Sequence, residues 1–309
     1  MEQALGVKDP NVGDMLRLTA LNAENRGVID LTGLEYAKNL TWLNLNDNRI
    51  SDITVLSGLM NLTRLYLWNN VIRNVEAVSG LVNLVELNLH SNQIVDIRPL
   101  TNLRKLILLG LERNRISDIG PLAGLVNLET LGLNENPIGD LGPLQNLVNL
   151  KWLNLASTKV SNVAPLSGLR NLEWLSLSFN QVSDISPLAN LTNLTWLGVG
   201  WNQIRDISPI SGLTELVSLD LRSNQVRDIS VLSGLTKLTE LHLGDNQIED
   251  IGVLAGLVDL TWLSLGSNRI SDISALAGLS RLGFLCLDHN LVADITPLGS
   301  QGPNRPVVT

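Results

Sequence analysis

A 22-residue period constrains the fold of this chain more than any other feature of its sequence. The stretch at residues 40–53 recurs in altered form, and its first Leu-x-Leu pair occurs thirteen times without an insertion. Because each repeat of such an array contacts mainly its neighbours, the 309 residues are predicted to form one elongated domain rather than two globular ones. The first leucines of these pairs are Leu21, Leu43, Leu65, Leu87, Leu109, Leu131, Leu153, Leu175, Leu197, Leu219, Leu241, Leu263 and Leu285.

Each repeat has the spacing of a short strand followed by a return turn. In the repeat at residues 40–53, Leu43 and Leu45 alternate with Trp42, Asn44 and Asn46. Side chains alternate across a strand, so the leucines are predicted to point into a core and the other residues outward. The pattern Leu-x-x-Leu-x-Leu-x-x-Asn-x-Ile at this period is typical of a leucine-rich-repeat solenoid. We predict an α/β repeat fold, a right-handed curved solenoid with a concave parallel β-sheet and short convex turns.

An asparagine follows the predicted strand in nearly every repeat. Its amide can bond turn backbone groups that no strand reaches, so we interpret this column as structural rather than catalytic. The asparagines are Asn48, Asn70, Asn92, Asn114, Asn136, Asn180, Asn202, Asn224, Asn246, Asn268 and Asn290, and Thr158 is the exception.

An aspartate lies four residues after the asparagine in most repeats. A calcium role is disfavoured because each repeat offers only one carboxylate, whereas calcium sites gather several oxygen ligands in one loop. We predict instead that this column caps the convex turn, which Asn74 and Asn162 can also do. Only Gly or Asn stands six residues further on, from Gly58 to Gly278, and this choice predicts a left-handed backbone at that position.

The period also divides the chain. Residues 1–20 do not follow it, and the start at Asn11 to Asp14 resembles a capping box, so we predict a helical N-terminal cap there. Residues 21–298 hold the thirteen repeats, and residues 299–309 form a C-terminal tail. The tail carries few apolar residues, and we expect a further domain or another chain to cover that end.

Charge and hydropathy patterning argue against several kinds of partner. The net charge of −8 does not favour nucleic acid or anionic lipid. A single cysteine, Cys286, excludes an intramolecular disulfide. No run approaches the roughly 20 apolar residues that cross a bilayer, so we expect no membrane insertion. No signal peptide or anchor is recognisable in the chain, and the residues alone leave its localisation open.

Residues 180–194 combine Asn180, Asp184, Ile185 and Pro187 with a closing Asn-Leu pair, and in this combination the sequence resembles the bacterial internalin-like class of 22-residue leucine-rich repeats. The resemblance implies a secreted or cell-surface protein that grips a protein partner with its concave face, in adhesion or host interaction. Eukaryotic phosphatase-regulating proteins share the period, and an intracellular regulatory subunit of that type is an alternative.

All seven tryptophans fall on the outward strand positions or the two positions that follow. Exposed aromatic patches commonly mark interaction sites, so we predict a protein-binding surface there, although duplication of the repeat would also multiply tryptophans. A glycan that stacks on the tryptophans is a second alternative ligand. The predicted centre is Trp152, Trp174, Phe179, Trp196 and Trp201. The predicted specificity residues are Asp220, Arg222, Glu240 and His242, and further candidates are Trp42, Arg64, Tyr66, Trp68 and Trp262.

Catalytic chemistry finds no support in the sequence. There is no Gly-rich phosphate loop and no nucleophile elbow. His90 and His242 lie seven repeats apart and do not have the spacing of metal ligands. We therefore expect a non-enzymatic protein without cofactor or metal, either a monomer or an end-to-end dimer.

Overall fold

A computed structural model of the chain describes residues 8–300 and 307–308. The chain forms two compact units, residues 1–154 and 155–309. Both units have the architecture of a leucine-rich-repeat solenoid, with one short parallel strand and one 3-10 turn in each repeat, as the sequence predicts.

In the first unit, each strand pairs in parallel with the next, and equivalent residues of successive repeats lie opposite each other, such as Leu43 and Leu65. Within the described part of this unit, residues 8–154, a short helix, α1, spans Val12–Met15. The strands are β1 Ala20–Asn22, β2 Trp42–Asn44, β3 Arg64–Tyr66, β4 Glu86–Asn88, β5 Leu108–Gly110, β6 Thr130–Gly132 and β7 Trp152–Asn154. The 3-10 turns are η1 Leu34–Tyr36, η2 Thr54–Gly58, η3 Glu76–Val78, η4 Arg98–Leu100, η5 Gly120–Leu122 and η6 Gly142–Leu144.

The second unit repeats this plan, with Leu175 opposite Leu197 as an example of the register. Its strands are β8 Trp174–Ser176, β9 Trp196–Gly198, β10 Ser218–Asp220, β11 Glu240–His242, β12 Trp262–Ser264, β13 Phe284–Cys286 and β14 Val307–Val308. Its 3-10 turns are η7 Ala164–Leu166, η8 Ser186–Leu188, η9 Ser208–Gly212, η10 Ser230–Gly234, η11 Gly252–Gly256, η12 Ser274–Gly278 and η13 Thr296–Ser300. Strand β14 lies in the predicted tail and pairs with β13.

The core of each unit is a set of aliphatic columns. In the repeat of β2, Leu43, Leu45, Ile50, Ile53 and Leu56 are all buried. Each such side chain contributes roughly 1.5–3 kcal/mol when it leaves water. Burial of this size depends on stacking, because an isolated repeat would expose the same columns to solvent.

The asparagine column forms a hydrogen-bonded ladder, as predicted. The Nδ2 group of Asn70 donates to the carbonyls of Leu45, Leu67 and Trp68 at 3.0, 3.1 and 3.2 Å. Its Oδ1 atom accepts the N–H of Ile50 at 2.9 Å. One buried amide thus bonds four backbone groups of two adjacent repeats, which would otherwise be costly to bury.

The aspartate column caps the 3-10 turns, as predicted. Asp184 accepts the N–H of Ser186, the first residue of η8, at 2.8 Å. Asn162 accepts the N–H of Ala164 in the same way at 2.9 Å. An asparagine can therefore replace the aspartate without loss of the hydrogen bond.

The prediction of a left-handed backbone at the Gly58 column is wrong. Among the described residues the glycines of positive φ are Gly27, Gly33 and Gly139, and none of them belongs to the Gly58 column. The left-handed position instead lies directly before the asparagine column, at Asp47 with φ 54°. It is occupied in the other repeats by Asn25, Asn69, Ser91, Arg113, Glu135, Ser157, Phe179, Trp201, Ser223, Asp245, Ser267 and His289.

The predicted N-terminal cap is represented by α1. Asn11 accepts the N–H of Gly13 at 2.8 Å and that of Asp14 at 3.2 Å, while Asp14 accepts the N–H of Asn11 at 3.1 Å. This reciprocal pair is a capping box. Met15 is buried beside the first repeat. Residues 1–7 of the predicted cap lie outside the described residues.

Candidate functional site

The outward residues of the strands and the two positions after each strand's second leucine form a surface that we call the strand face. All the site residues predicted from the sequence lie on it. The first unit carries Trp42, Arg64, Tyr66, Trp68 and Trp152. The second unit carries Trp174, Phe179, Trp196, Trp201, Asp220, Arg222, Glu240, His242 and Trp262.

Trp174 and Trp196 form a stacked pair in the second unit. The parallel register of β8 and β9 places them opposite each other. Their ring centroids are 4.3 Å apart and their planes differ by 9°. The pair therefore presents one continuous indole surface, of a kind that commonly anchors protein interfaces. Trp152, the third tryptophan of this column, belongs to the first unit.

The pair lies low on the sheet because the next strand positions carry small residues. The ring of Trp196 covers Gly198, where a methyl group would lie 2.7 Å from Cζ3 and closer still to Cη2. Ser178 is buried beside this glycine, and its Oγ atom would lie 3.3 Å from the same methyl group. A larger residue at position 198 would lift the indole off the sheet.

A second stacked pair lies on the same two repeats, just after strands β8 and β9. The rings of Phe179 and Trp201 are 4.3 Å apart with an interplanar angle of 11°. Both residues are in the left-handed region, with φ 58° and 52°, and every other described residue at this position is polar. Bulky side chains rarely adopt this conformation, and such strain tends to concentrate at functional sites. We call Trp174, Phe179, Trp196 and Trp201 the aromatic patch.

Arg222 extends the second stack in the next repeat. Its guanidinium carbon lies 4.8 Å from the centroid of a Trp201 ring. Asp220 holds it there by accepting from Nη2 at 2.7 Å and from Nε at 3.0 Å. This hydrogen bond also raises the pKa of Arg222 above its ordinary value. Phe179, Trp201, Arg222 and Asp220 thus form one continuous, preorganised row.

Glu240, His242 and Trp262 lie on the following repeats. The rings of Trp262 and Phe284 stack with their centroids 3.9 Å apart, and the centroids of Trp262 and the His242 imidazole are 6.2 Å apart. Burial lowers the pKa of His242 below its ordinary value, against the opposing effect of Asp220. Glu240 accepts a hydrogen bond from the Ser218 hydroxyl at 3.1 Å.

The first unit carries a separate aromatic group. Trp42 meets Tyr66 edge to face, with centroids 6.3 Å apart. The Tyr66 hydroxyl donates to the carboxylate of Glu86. Burial, together with this bond and the charge of Glu86, raises the pKa of Tyr66 to about 12. The rings of Trp68 and His90 also meet edge to face, with centroids 5.8 Å apart.

Sequence reasoning missed the residues that shape these surfaces. Ser178, Gly198 and Gly200 are buried floor positions of the aromatic patch. In the first unit Glu112 lies across Gly132, where a methyl group would be 2.9 Å from its Cγ atom. The sequence does contain a signal for them. Small residues at strand-face positions next to large ones leave room for the large side chains to lie flat on the sheet. Phe284, the stacking partner of Trp262, was also left out of the predicted site.

Neither a metal site nor a membrane span can be built from the described residues. Residues 8–300 contain no group of three or more His, Cys, Asp or Glu side chains that could hold a metal ion. None of the described helices is long and apolar enough to cross a bilayer.

Comparison with known proteins identifies the family. The family description "Leucine Rich repeats (2 copies)" matches overlapping segments that together cover residues 38–146 and 148–256, more than half of the chain. The crystal structure of an internalin, InlF, from Listeria monocytogenes is 35% identical, and the match covers 99% of this chain and 92% of that protein with a TM-score of 0.78. A search of curated proteins finds no match.

More distant structures share the fold. A leucine-rich-repeat protein from Leptospira interrogans is 20% identical, with coverage of 96% of this chain and 97% of that one and a TM-score of 0.72. The plant peptide hormone receptor RGFR1 in complex with RGF2 is 22% identical, with coverage of 83% and 53% and a TM-score of 0.58. The family match and the identity to InlF lead to the same conclusion. This chain belongs to the leucine-rich-repeat family and, within it, to the bacterial internalin-like proteins.

Proposed function

We propose that this protein is a non-catalytic scaffold that binds a protein partner through the strand face of its second unit, in bacterial adhesion or host interaction. The internalin-like leucine-rich-repeat fold is a protein-binding scaffold. The observation that carries the proposal is the aromatic patch, two stacked ring pairs on adjacent repeats over a floor of small residues.

The backbone conformation under the patch supports this proposal. An L-residue in the left-handed region costs roughly 1–2 kcal/mol, and asparagine or aspartate relieves much of that cost. Phe179 and Trp201 hold the position at which the other repeats place polar residues, often Asn, Asp or Ser. Folding alone gives no reason for aromatic rings there, whereas binding does.

The geometry favours a protein ligand over the glycan alternative. Sugars bind to the free face of an aromatic ring. In the aromatic patch, Trp174 and Trp196 turn one face of each ring toward the other at 4.3 Å, and Phe179 and Trp201 do the same. The plant peptide hormone receptor RGFR1, which has a similar fold, forms a complex with RGF2. As part of the proposal, we extend that role, recognition of a polypeptide, to this chain.

Affinity capture with three forms of the full chain tests the proposal. The intact protein is compared with the Trp174→Ala/Trp196→Ala double variant and with Val258→Ala, a control in which an apolar side chain 54% exposed outside the strand face is removed. We expect the intact protein and the control to capture the same protein from host-cell surface fractions, and the double variant to lose it.

Other results would overturn the proposal. Equal capture by the double variant would favour simple duplication of the tryptophan-containing repeat. Capture of a phosphatase from cytosol would support the regulatory alternative. Binding to a glycan array, lost in the double variant, would support the glycan alternative.

A further inference from the structure

The strand face of the second unit carries an excess of carboxylates beyond the aromatic patch. We call Asp220, Glu240, Asp245 and Asp288 the acidic patch. Across the strand-face positions from Ala156 to His289, Arg222 is the only lysine or arginine. Four carboxylates therefore share this face with one guanidinium.

Arg222 pairs mainly with Asp220, the inner carboxylate of the acidic patch, and the charge of Asp245 acts on it more weakly. Its Nη2 and Nε atoms bond Asp220 at 2.7 and 3.0 Å, and its guanidinium carbon lies 4.8 Å from the Trp201 ring. Asp220 is buried by this arrangement. The single cation is thus committed to the carboxylate beside it, and Glu240, Asp245 and Asp288 are left exposed.

The exposed carboxylates take their hydrogen bonds mainly from neutral groups. Glu240 accepts from the Ser218 hydroxyl at 3.1 Å, and Asp245 accepts from the Ser223 hydroxyl at 3.4 Å. Asp288 accepts from the Cys286 thiol and contacts the His289 imidazole, both at 2.7 Å. Within the described residues, neither Glu240 nor Asp245 forms a salt bridge.

Two aromatic rings lie on the strands next to Glu240. The parallel register places Glu240 opposite Trp262, and Trp262 in turn opposite Phe284. The Trp262 side chain is 41% exposed. A lysine or arginine can lay its aliphatic stem on such a ring and place its charge beside a carboxylate, which combines cation–π attraction with an ion pair.

We propose that the acidic patch, together with Trp262 and Phe284, receives a lysine- or arginine-bearing segment of the protein partner. This inference rests on the proposed function and specifies the partner: the aromatic patch provides the apolar anchor, and the acidic patch selects a positively charged polypeptide. Complementary charge of this kind accelerates association and excludes acidic partners.

Selection from a linear random peptide library displayed on phage tests this inference even while the natural partner is unidentified. The immobilised intact protein should enrich peptides that contain several lysines or arginines together with an apolar residue. Their affinity should fall steeply as salt is raised, because the exposed ion pairs are screened.

Two variants with the same change in net charge locate the binding site. Glu240→Gln/Asp245→Asn/Asp288→Asn removes three exposed strand-face carboxylates and keeps their hydrogen-bond acceptors. Glu215→Gln/Glu249→Gln/Asp259→Asn removes three carboxylates outside the strand face, each of which forms an ion pair with a neighbouring lysine or arginine. The first variant should raise the Kd of the selected peptides at least about tenfold, and the second variant should raise it less than about twofold. Thermal melting of both variants establishes that each is folded.

The outcomes separate this inference from the proposed function. Enriched peptides without positive charge that lose binding in Trp174→Ala/Trp196→Ala would overturn the acidic-patch inference and leave the proposed function standing. Basic peptides that bind equally to both charge variants would overturn it as well, since overall charge would then explain the selection. A selection that enriches no peptide sensitive to any of these variants would count against both.

Discussion

The six-membered ring of Trp196 lies over Gly198 on the same strand, at a distance that leaves no room for a side chain on the glycine. The same indole stacks on Trp174 at 4.3 Å. The absence of a Cβ atom at residue 198 therefore sets the height of the aromatic patch above the sheet.

Gly198→Ala should displace the indole without unfolding the protein, since the methyl group meets the far end of a side chain rather than backbone. Stacked indoles couple electronically, so the near-UV circular dichroism signal of the Trp174 and Trp196 pair should shrink. The melting temperature should change by only a few degrees. Gly256→Ala is the matched control, because nothing lies within 4 Å of a methyl group there. An unchanged tryptophan signal in Gly198→Ala would contradict the described ring position.

The aspartates that cap the 3-10 turns predict how stability depends on pH. The N–H of the residue two positions on lowers the pKa of Asp184, Asp206 and Asp228. Since the folded-state pKa is below the unfolded value of about 4, this stabilisation is fully present above pH 4 and is lost as pH falls through the folded-state pKa. Replacing all three with Asn should keep the hydrogen bonds and flatten the loss of stability in acid.

Urea denaturation of the triple variant at pH 7 and at acidic pH measures this effect. The reverse change, Asn162→Asp, is an internal check, because Asn162 already accepts the N–H of Ala164 without being titratable. That variant should lose more stability in acid than the parent protein. Equal acid sensitivity in all three proteins would mean that other groups dominate the acid unfolding.

The repeat at Thr158 is predicted to open first. The Thr158 hydroxyl has one proton, which it shares between the Leu155 carbonyl at 2.6 Å and Asn180 Oδ1 at 3.2 Å, whereas the Asn180 amide donates to three carbonyls. Ser157 holds the left-handed position that every repeat has, but Lys159, directly after Thr158, adds a second residue of positive φ, 63°, which costs roughly 1–2 kcal/mol relative to a relaxed backbone.

Thr158→Asn and Lys159→Gly should each raise the free energy of unfolding by about 1 kcal/mol. In the parent protein, amide hydrogens near residue 158 should exchange faster than those near residue 180. Protection equal to that of the neighbouring repeats would show that the threonine fits the column as well as asparagine does.

The sequence predicted the features that depend only on the period. Because equivalent residues of successive repeats lie opposite each other, the 22-residue spacing of Trp174 and Trp196 is enough to place them side by side on the strand face. The same reasoning predicted the buried leucine columns, the asparagine ladder headed by Asn48 and the turn caps. Each of these follows from counting residues in one repeat.

Features that depend on neighbouring side chains could not be predicted in this way. The tilt of Trp196 depends on the missing side chain at Gly198, and the direction of Arg222 depends on both Asp220 and Trp201. The left-handed column was misplaced because the choice of Gly or Asn at Gly58 suggested it there. The true position tolerates Asp, Ser and even Phe179, since the stacked repeats impose the conformation.

The dissociation constant of the captured partner for single and double variants of the aromatic patch tests the central claim most directly. Trp174→Ala and Trp196→Ala should each raise Kd at least about tenfold and together at least about thirtyfold, while Val258→Ala changes it less than about twofold. The melting temperature should stay within a few degrees in all variants. A double variant that is folded and binds with an unchanged Kd would contradict the assignment of the aromatic patch as the binding site.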